Sequence, residues 1–388
     1  MVFELMIDRG VMTGGVYLIR RIFSISRILI SVYFFAFKRN IWSITAKGFS
    51  AFIISENIVS ILNGSIYINY AIGSITTVGL CFVCAYYLRK HPSYFLEASI
   101  LFFGFVSIID ALQRYIMPGG FFGATYKESA VYLLGSKNTC FFFYGVYIYF
   151  LLYKESLCRK RISYTTMGIL FFLTGATIIS DAANAFVMMS IIILYYIISR
   201  IGKSINKLFN LKFLIPIVAV LSVFVLSPTL RNIFSPFLNA IGRDSTVTGR
   251  DLLWLQAIDK FKNHPLIGNG ILTDYILGTG VIADHAHSHY LDLLAKYGLI
   301  TFLCFVITVG CVVRAIVRKN KKNIRLLALD FVIIGTFLLH SIVDHLELFN
   351  FIIILVSSEL LSGINENTFK HKDTSINIES KNMLNNSL

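Results

Sequence analysis

Residues able to do chemistry gather between Arg243 and Thr301, in a polar interval of about sixty residues set among segments long enough to cross a bilayer. It reads GRDSTVTGRDLLWLQAIDKFKNHPLIGNG and then DHAHSHYLDLLAKYGLIT. Paired arginines, Arg243 and Arg250, offer a planar fork for an anionic group. His285, His287 and His289 offer imidazoles that change charge near neutral pH, and such a group can take a proton from a hydroxyl.

Local spacing positions these groups. Thr248 and Asp251 have the spacing of a capping box, and Trp254, Ala257, Ile258 and Phe261 recur at helical intervals. An amphipathic helix is therefore expected from about Gly249 to just before His264-Pro265. Arg250 in its first turn, with Arg243 upstream and free backbone N–H groups, would make a compact anion site, and Trp254 lies one turn from Arg250. Pairing of Arg250 with Asp244, Asp251 or Asp259 as ordinary loop stitching is the competing reading. After the Pro/Gly turn at 263–270, Asp284 to Ser288 should lead into a second amphipathic helix. On it Tyr290, Leu291 and Leu294 would share a face with His287, and Asp292 and Lys296 would pair on the other side. His285 and His289 could bind a metal if joined by Asp284, His340, Asp344 or His345, but no HExxH-type signature is present. A purely structural histidine cluster is the third option.

The remainder of the chain is a membrane scaffold. Of its 388 residues 56% are hydrophobic and 14% charged, too apolar for one soluble core. The expected fold is an all-α polytopic membrane protein with about ten or eleven transmembrane helices and one large extracytoplasmic loop, 228–297, carrying short amphipathic helices. Spans are expected near 49–63, 66–88, 94–112, 138–153, 164–180, 182–199, 213–227, 298–317, 326–343 and 346–363, with a doubtful first one at 22–37. The net charge of +14 resides in short clusters between these spans, which argues for positive-inside topology and against nucleic-acid binding. The large loop then faces outward, and the Asn- and Ser-rich tail, 364–388, is a disordered cytoplasmic segment. Arg9, Arg20 and Arg21 conflict with a span at 22–37, which is therefore either an interfacial helix or an atypical start.

None of the six cysteines falls in the polar loop, so no disulfide framework is expected, and Cys81 and Cys84 read as packing residues. No removable signal peptide is read at the N-terminus, and no internal repeat or nucleotide-binding glycine loop is found. Gly73, Gly79 and Gly175 read as sites of close helix approach. Asp110 and Asp181 read as interfacial ends of spans.

The loop resembles the Wzy-type polysaccharide polymerase and O-antigen ligase superfamily. The likeness rests on Thr248-Gly249-Arg250 with Trp254, on Pro265 to Gly270, and on His285-Ala286-His287-Ser288 with Tyr290-Leu291. His287-Ser288, then Gly298 and Thr301, follow the family's spacing of a histidine and polar residue, nine residues, glycine, two residues and a small residue. Gly135-Ser136-Lys137-Asn138 resembles the segment that precedes this domain in Gram-positive capsule polymerases. Ser288 stands where asparagine is common, and His289 has no counterpart in the family pattern.

The resemblance implies a metal-independent, GT-C-like membrane glycosyltransferase without cofactors, in the bacterial cytoplasmic membrane and with its active site outside. The donor would be a polyprenyl-diphosphate-linked oligosaccharide. Arg250 and Arg243 would hold its diphosphate, His287 would be the base, and His285, Ser288, Trp254 and Tyr290 would support them. Membrane lipids, a chain-length regulator and a flippase are the implied partners. A polymerase of capsule, exopolysaccharide or O-antigen repeat units is the leading expectation, and a ligase moving finished O-antigen to lipid A core is the alternative. A lipid-linked sugar transporter should carry charges deep in its spans, whereas here they gather in the loop. A membrane metalloenzyme would need its histidines to meet at ligand distance.

Overall fold

The computed structural model describes residues 15–38, 41–65, 68–120, 131–158, 163–201, 250–276, 282–320 and 323–361. Arg243, the expected span at 213–227, the first part of the large loop and the C-terminal tail lie outside them. The described residues form eleven helices and two short antiparallel hairpins, an all-α multi-pass membrane architecture. The helices are α1 (Gly15–Phe37), α2 (Ile44–Leu62), α3 (Ile68–Lys90), α4 (Pro92–Ile116), α5 (Cys140–Cys158), α6 (Tyr164–Ile179), α7 (Ala183–Ile201), α8 (Arg250–Asn263), α9 (His289–Lys319), α10 (Ile324–His340) and α11 (Leu348–Leu361). By length and composition, Tyr70–Lys90, Pro92–Ile116, Ala183–Arg200 and His289–Lys319 can each cross a membrane.

Local signals set the helix ends. Ser43 and Ser163 cap α2 and α6 through their side chains, Asn323 caps α10, and Pro92 opens α4 where no N–H is needed. Glu359 adds a long-range cap: its carboxylate accepts from Ile44 N at 2.9 Å and Thr45 N at 2.8 Å, placing negative charge at the α2 N-terminus. Apolar side chains do the remainder in opposite ways. α5 is buried on nearly all sides from Phe141 to Tyr153, whereas α4 turns Leu101, Phe102 and Phe105 outward, as a helix facing lipid requires. Gly79 sits against Ser31, where a Cβ would overlap the serine side chain, so α3 and α1 approach closely; Gly73 has open space instead. Cys81 and Cys84 are free and buried in the core.

Contacts sort the helix ends into two faces. Arg89 at the end of α3 donates to Trp42 O before α2, Lys319 at the end of α9 donates to Glu359 O in α11, and Arg200 of α7 meets Glu155 of α5 at 3.0 Å. One face thus collects basic residues. At the other face Asp110, near the end of α4, is fully buried and pairs with Arg114 one turn later at 2.7 Å. Asp181 does lie at the surface and pairs with Lys137 at 2.8 Å.

The element that positions the polar loop is α9, which is two helices joined at Gly298 (φ 73°, ψ −177°). His289, nine residues before this corner, lies 5.3 Å by ring centroids from Phe305, seven residues after it. On one straight helix these residues would stand about 24 Å apart. The first segment, 289–297, therefore folds back along the outer part of the span and carries its histidine end down beside Phe305.

Candidate active site

The turn at Pro265–Gly270 makes that corner. Breaking a helix at Gly298 orphans carbonyls before the break and N–H groups after it. Asn269 N and Gly270 N donate to Ala295 O (3.1 Å) and Lys296 O (2.8 Å), while Leu299 N and Ile300 N donate to Pro265 O (2.8 Å) and Leu266 O (3.3 Å). The turn therefore supplies both sets of partners. A Cβ at Gly298 would stand 2.3 Å from Leu266 O, so only glycine fits the corner.

α8 spans Arg250–Asn263, as its periodicity predicts, and docks on the first segment of α9 through a second apolar cluster. Leu253, Trp254 and Ala257 pack there with Tyr275, Ala286, Leu291 and Ala295. Gln256 closes the arrangement by exchanging hydrogen bonds with the backbone of Ile276 at 2.6 and 2.8 Å. Arg250, at the head of α8, donates from Nη1 to Val343 O. Its guanidinium thus stands over the loop between α10 and α11, beside Asp344. Thr248 lies outside the described residues.

The histidines depart from the expected helical arrangement. The helix begins at His289, with Ser288 as its buried N-cap, so His285 and His287 precede it and do not share helical faces with the residues that follow. His287 has φ 50°, a left-handed conformation uncommon for a side chain other than glycine. Surrounding bonds hold it there: His289 N donates to Ser341 O (3.0 Å) and Asp344 O (3.2 Å), and Ala286 N donates to Asp292 Oδ1 (3.0 Å). Asp292 is thus buried under the loop and not part of a solvent-facing pair, although its contact with Lys296 forms at 3.3 Å. Tyr290 anchors the same segment through its hydroxyl on Leu338 O, at 2.7 Å.

Three histidine–aspartate contacts result, the longest between His345 Nδ1 and Asp292 Oδ2 at 3.9 Å. His287 Nδ1 stands 3.8 Å from Asp344 Oδ1, beyond hydrogen-bond length, and His285 Nδ1 meets Asp284 Oδ1 at 2.5 Å. The two imidazoles lie edge to face with centroids 4.3 Å apart. Burial disfavours the Asp344 charge, but the His287 imidazole and the nearby His340 and Arg250 outweigh it and hold this carboxyl well below its ordinary range. The His285 bond brings Asp284 down to about 2. Burial lowers His345, aided by the charges of His285 and Lys296. His289 is buried behind the pair, 5.4 Å from the His345 ring.

Arg250, Trp254, His285, His287, Ser288 and Tyr290 are therefore brought together, whereas Arg243 lies outside the described residues. Sequence reasoning missed Asp344 as the partner of His287 and Asp292 as the anchor of the loop. Asp344 was legible only as one of several ligand candidates; the Asp292 role had no signal, because its spacing to Lys296 also fits an exposed pair. Among the described residues, no three His, Cys, Asp or Glu side chains are grouped to hold a metal ion.

A family model described as O-antigen ligase matches residues 167–306, from α6 through the corner of α9 into its span. This segment is thus similar to the O-antigen ligase family, which agrees with the resemblance carried by its motifs. No curated protein matches the chain.

Proposed function

We propose that this multi-pass membrane protein is a glycosyltransferase that polymerises lipid-linked oligosaccharide repeat units. The family match supports the broader class of O-antigen ligase or polymerase. The finer reading rests on one observation above all: His287 faces Asp344, and Arg250 is bonded to the neighbouring Val343 carbonyl, at the face opposite the basic helix ends. By positive-inside orientation that face lies outward.

His287 would accept the proton of an acceptor sugar hydroxyl as the oxygen attacks the anomeric carbon. Asp344 stabilises the imidazolium that forms. The bond from the anomeric carbon to the phosphate oxygen breaks, and the diphosphate departs with its electron pair onto Arg250, joined by Arg243 from the adjoining segment. A polyprenyl chain would keep donor and product in the bilayer. No step needs a metal. A chain-length regulator and a flippase are the expected partners.

The test is a gel of surface glycan from a deletion strain complemented with wild type or with His287→Ala. Loss of the base should lower transfer by about 10²- to 10⁴-fold with protein level unchanged. Single repeat units in place of a ladder mark a polymerase, and full-length polymer stranded on the lipid carrier marks a ligase. A normal ladder from His287→Ala would remove His287 from the chemistry.

A further inference from the structure

The proposed chemistry uses one histidine–aspartate pair, and the shortest such contact of the loop is another. His285 is held by Asp284 at 2.5 Å, with its side chain about one-third exposed and Asp284 almost wholly exposed. The bond occupies Nδ1, leaving Nε2 available, and the ring lies 4.3 Å from that of His287. The two side chains are about equally exposed, so a ligand at one ring lies within reach of the other.

We propose that His285 is a second functional imidazole of this site, a cation that holds the phosphate oxygens of the leaving group while His287 serves the acceptor. This rests on the glycosyl-transfer reading and assigns His285 a substrate contact.

The surrounding charges favour a protonated His285. Burial acts against its charge, but the bond to Asp284 and the charges of Asp284, Asp292 and Asp344 outweigh it and raise its pKa. His345 is 5.8 Å away by ring centroids, and burial lowers its pKa, opposite to the shift at His285. Lys296, the nearest ammonium, is engaged by Asp284 O and Asp292 Oδ2, and Arg250 lies across His287 and Asp344. An anion entering between Arg250 and His285 would meet a cation on each side of the base. The sign follows from the raised pKa: the charge is present below it and lost as pH rises through it.

The experiment is titration of the full-length protein in phospholipid nanodiscs with farnesyl diphosphate, farnesol being the control without phosphate, across pH 5.5 to 8.5 (roughly one unit below to two units above the ordinary histidine pKa). Wild type should bind the diphosphate more weakly as pH rises. His285→Ala and His285→Gln should each weaken it about ten- to hundredfold at the acid end and flatten the pH dependence. Asp284→Asn should shift the midpoint to lower pH, and His285→Lys should restore binding at high pH. Equal affinity and an unchanged pH profile in both His285→Ala and His285→Gln would overturn the inference. Glycan transfer by the same preparations separates the two readings: a wild type that binds diphosphate through His285 yet transfers no sugar retires the transferase and leaves the anion site standing.

Discussion

Two clusters of buried polar groups lie at the same face of the helix bundle, and they are built to opposite specifications. Around Asp110 the carboxylate is saturated: Oδ2 accepts from Arg114 Nε at 2.7 Å and Tyr144 OH at 2.8 Å, and Oδ1 from Leu134 N at 2.9 Å. Arg114 reaches on to Lys137 O and Ser180 Oγ and lies over the Tyr132 ring. In the histidine loop, His287 Nδ1 and both ring nitrogens of His289 and His340 are buried without a hydrogen-bond partner among the described residues. The three donors fix the Asp110 carboxylate in one geometry, although Arg114 Nη2 and Gln113 Nε2 beside it also lack a partner among the described residues; in the histidine loop it is the titratable imidazoles themselves, beside a left-handed residue, that lack one. The first cluster ties α4, α5 and α6 together through its carboxylate; the second places unpaired imidazoles beside Asp344.

The comparison breaks first at Arg114. Arg114→Leu leaves the Asp110 carboxylate buried without its cation, and stability should fall by about 3–5 kcal/mol. Thermal unfolding of the detergent-solubilised protein measures this. Asp110→Leu combined with Arg114→Leu should recover much of the loss, since no charge is then stranded. A double variant as unstable as Arg114→Leu would mean that the pair acts through shape and not through charge. Stability carries the effect here, in contrast to His287→Ala, which should leave unfolding unchanged and remove transfer.

Gly298 tests how the second cluster is held. Gly298→Ala places a Cβ at φ 73° against the Leu266 carbonyl, so the corner must open and the first segment of α9 must swing. A misplacement of about 1 Å at the histidines can cost about 10²-fold in rate, while the helices of the bundle stay packed. Transfer in membranes normalised for protein level would show it; full activity would mean that the histidine loop keeps its place without the corner.

This residue also marks what was legible beforehand. Apolar runs located the apolar helices within the described residues, and the resemblance to the polymerase and ligase superfamily singled out Gly298. The reason for that glycine, a turn thirty residues upstream that completes both broken helix ends, is tertiary and leaves no periodic trace. Continuing the helical pattern back to Asp284 likewise put His287 on the wrong element. The true start at His289 frees His285 and His287 to face each other, and the fold-back turns Asp292 inward. Arg114 was missed for a related reason: a charge one turn from Asp110 reads as a surface pair unless burial is known.

The mildest challenge lies at the edge of the first cluster. Lys137 meets Asp181 at 2.8 Å, with side chains 31% and 74% exposed, and belongs to the Gly135–Asn138 segment whose sequence resembles capsule polymerases. If that segment is only scaffold, Lys137→Ala should change stability by no more than about 1 kcal/mol, as for other solvent-screened pairs, and leave transfer intact. The backbone carbonyl of Lys137, which accepts from Arg114, survives the substitution. A large fall in transfer with unchanged unfolding would instead give Lys137 a substrate contact and extend the working pocket from the histidine loop toward the head of α5.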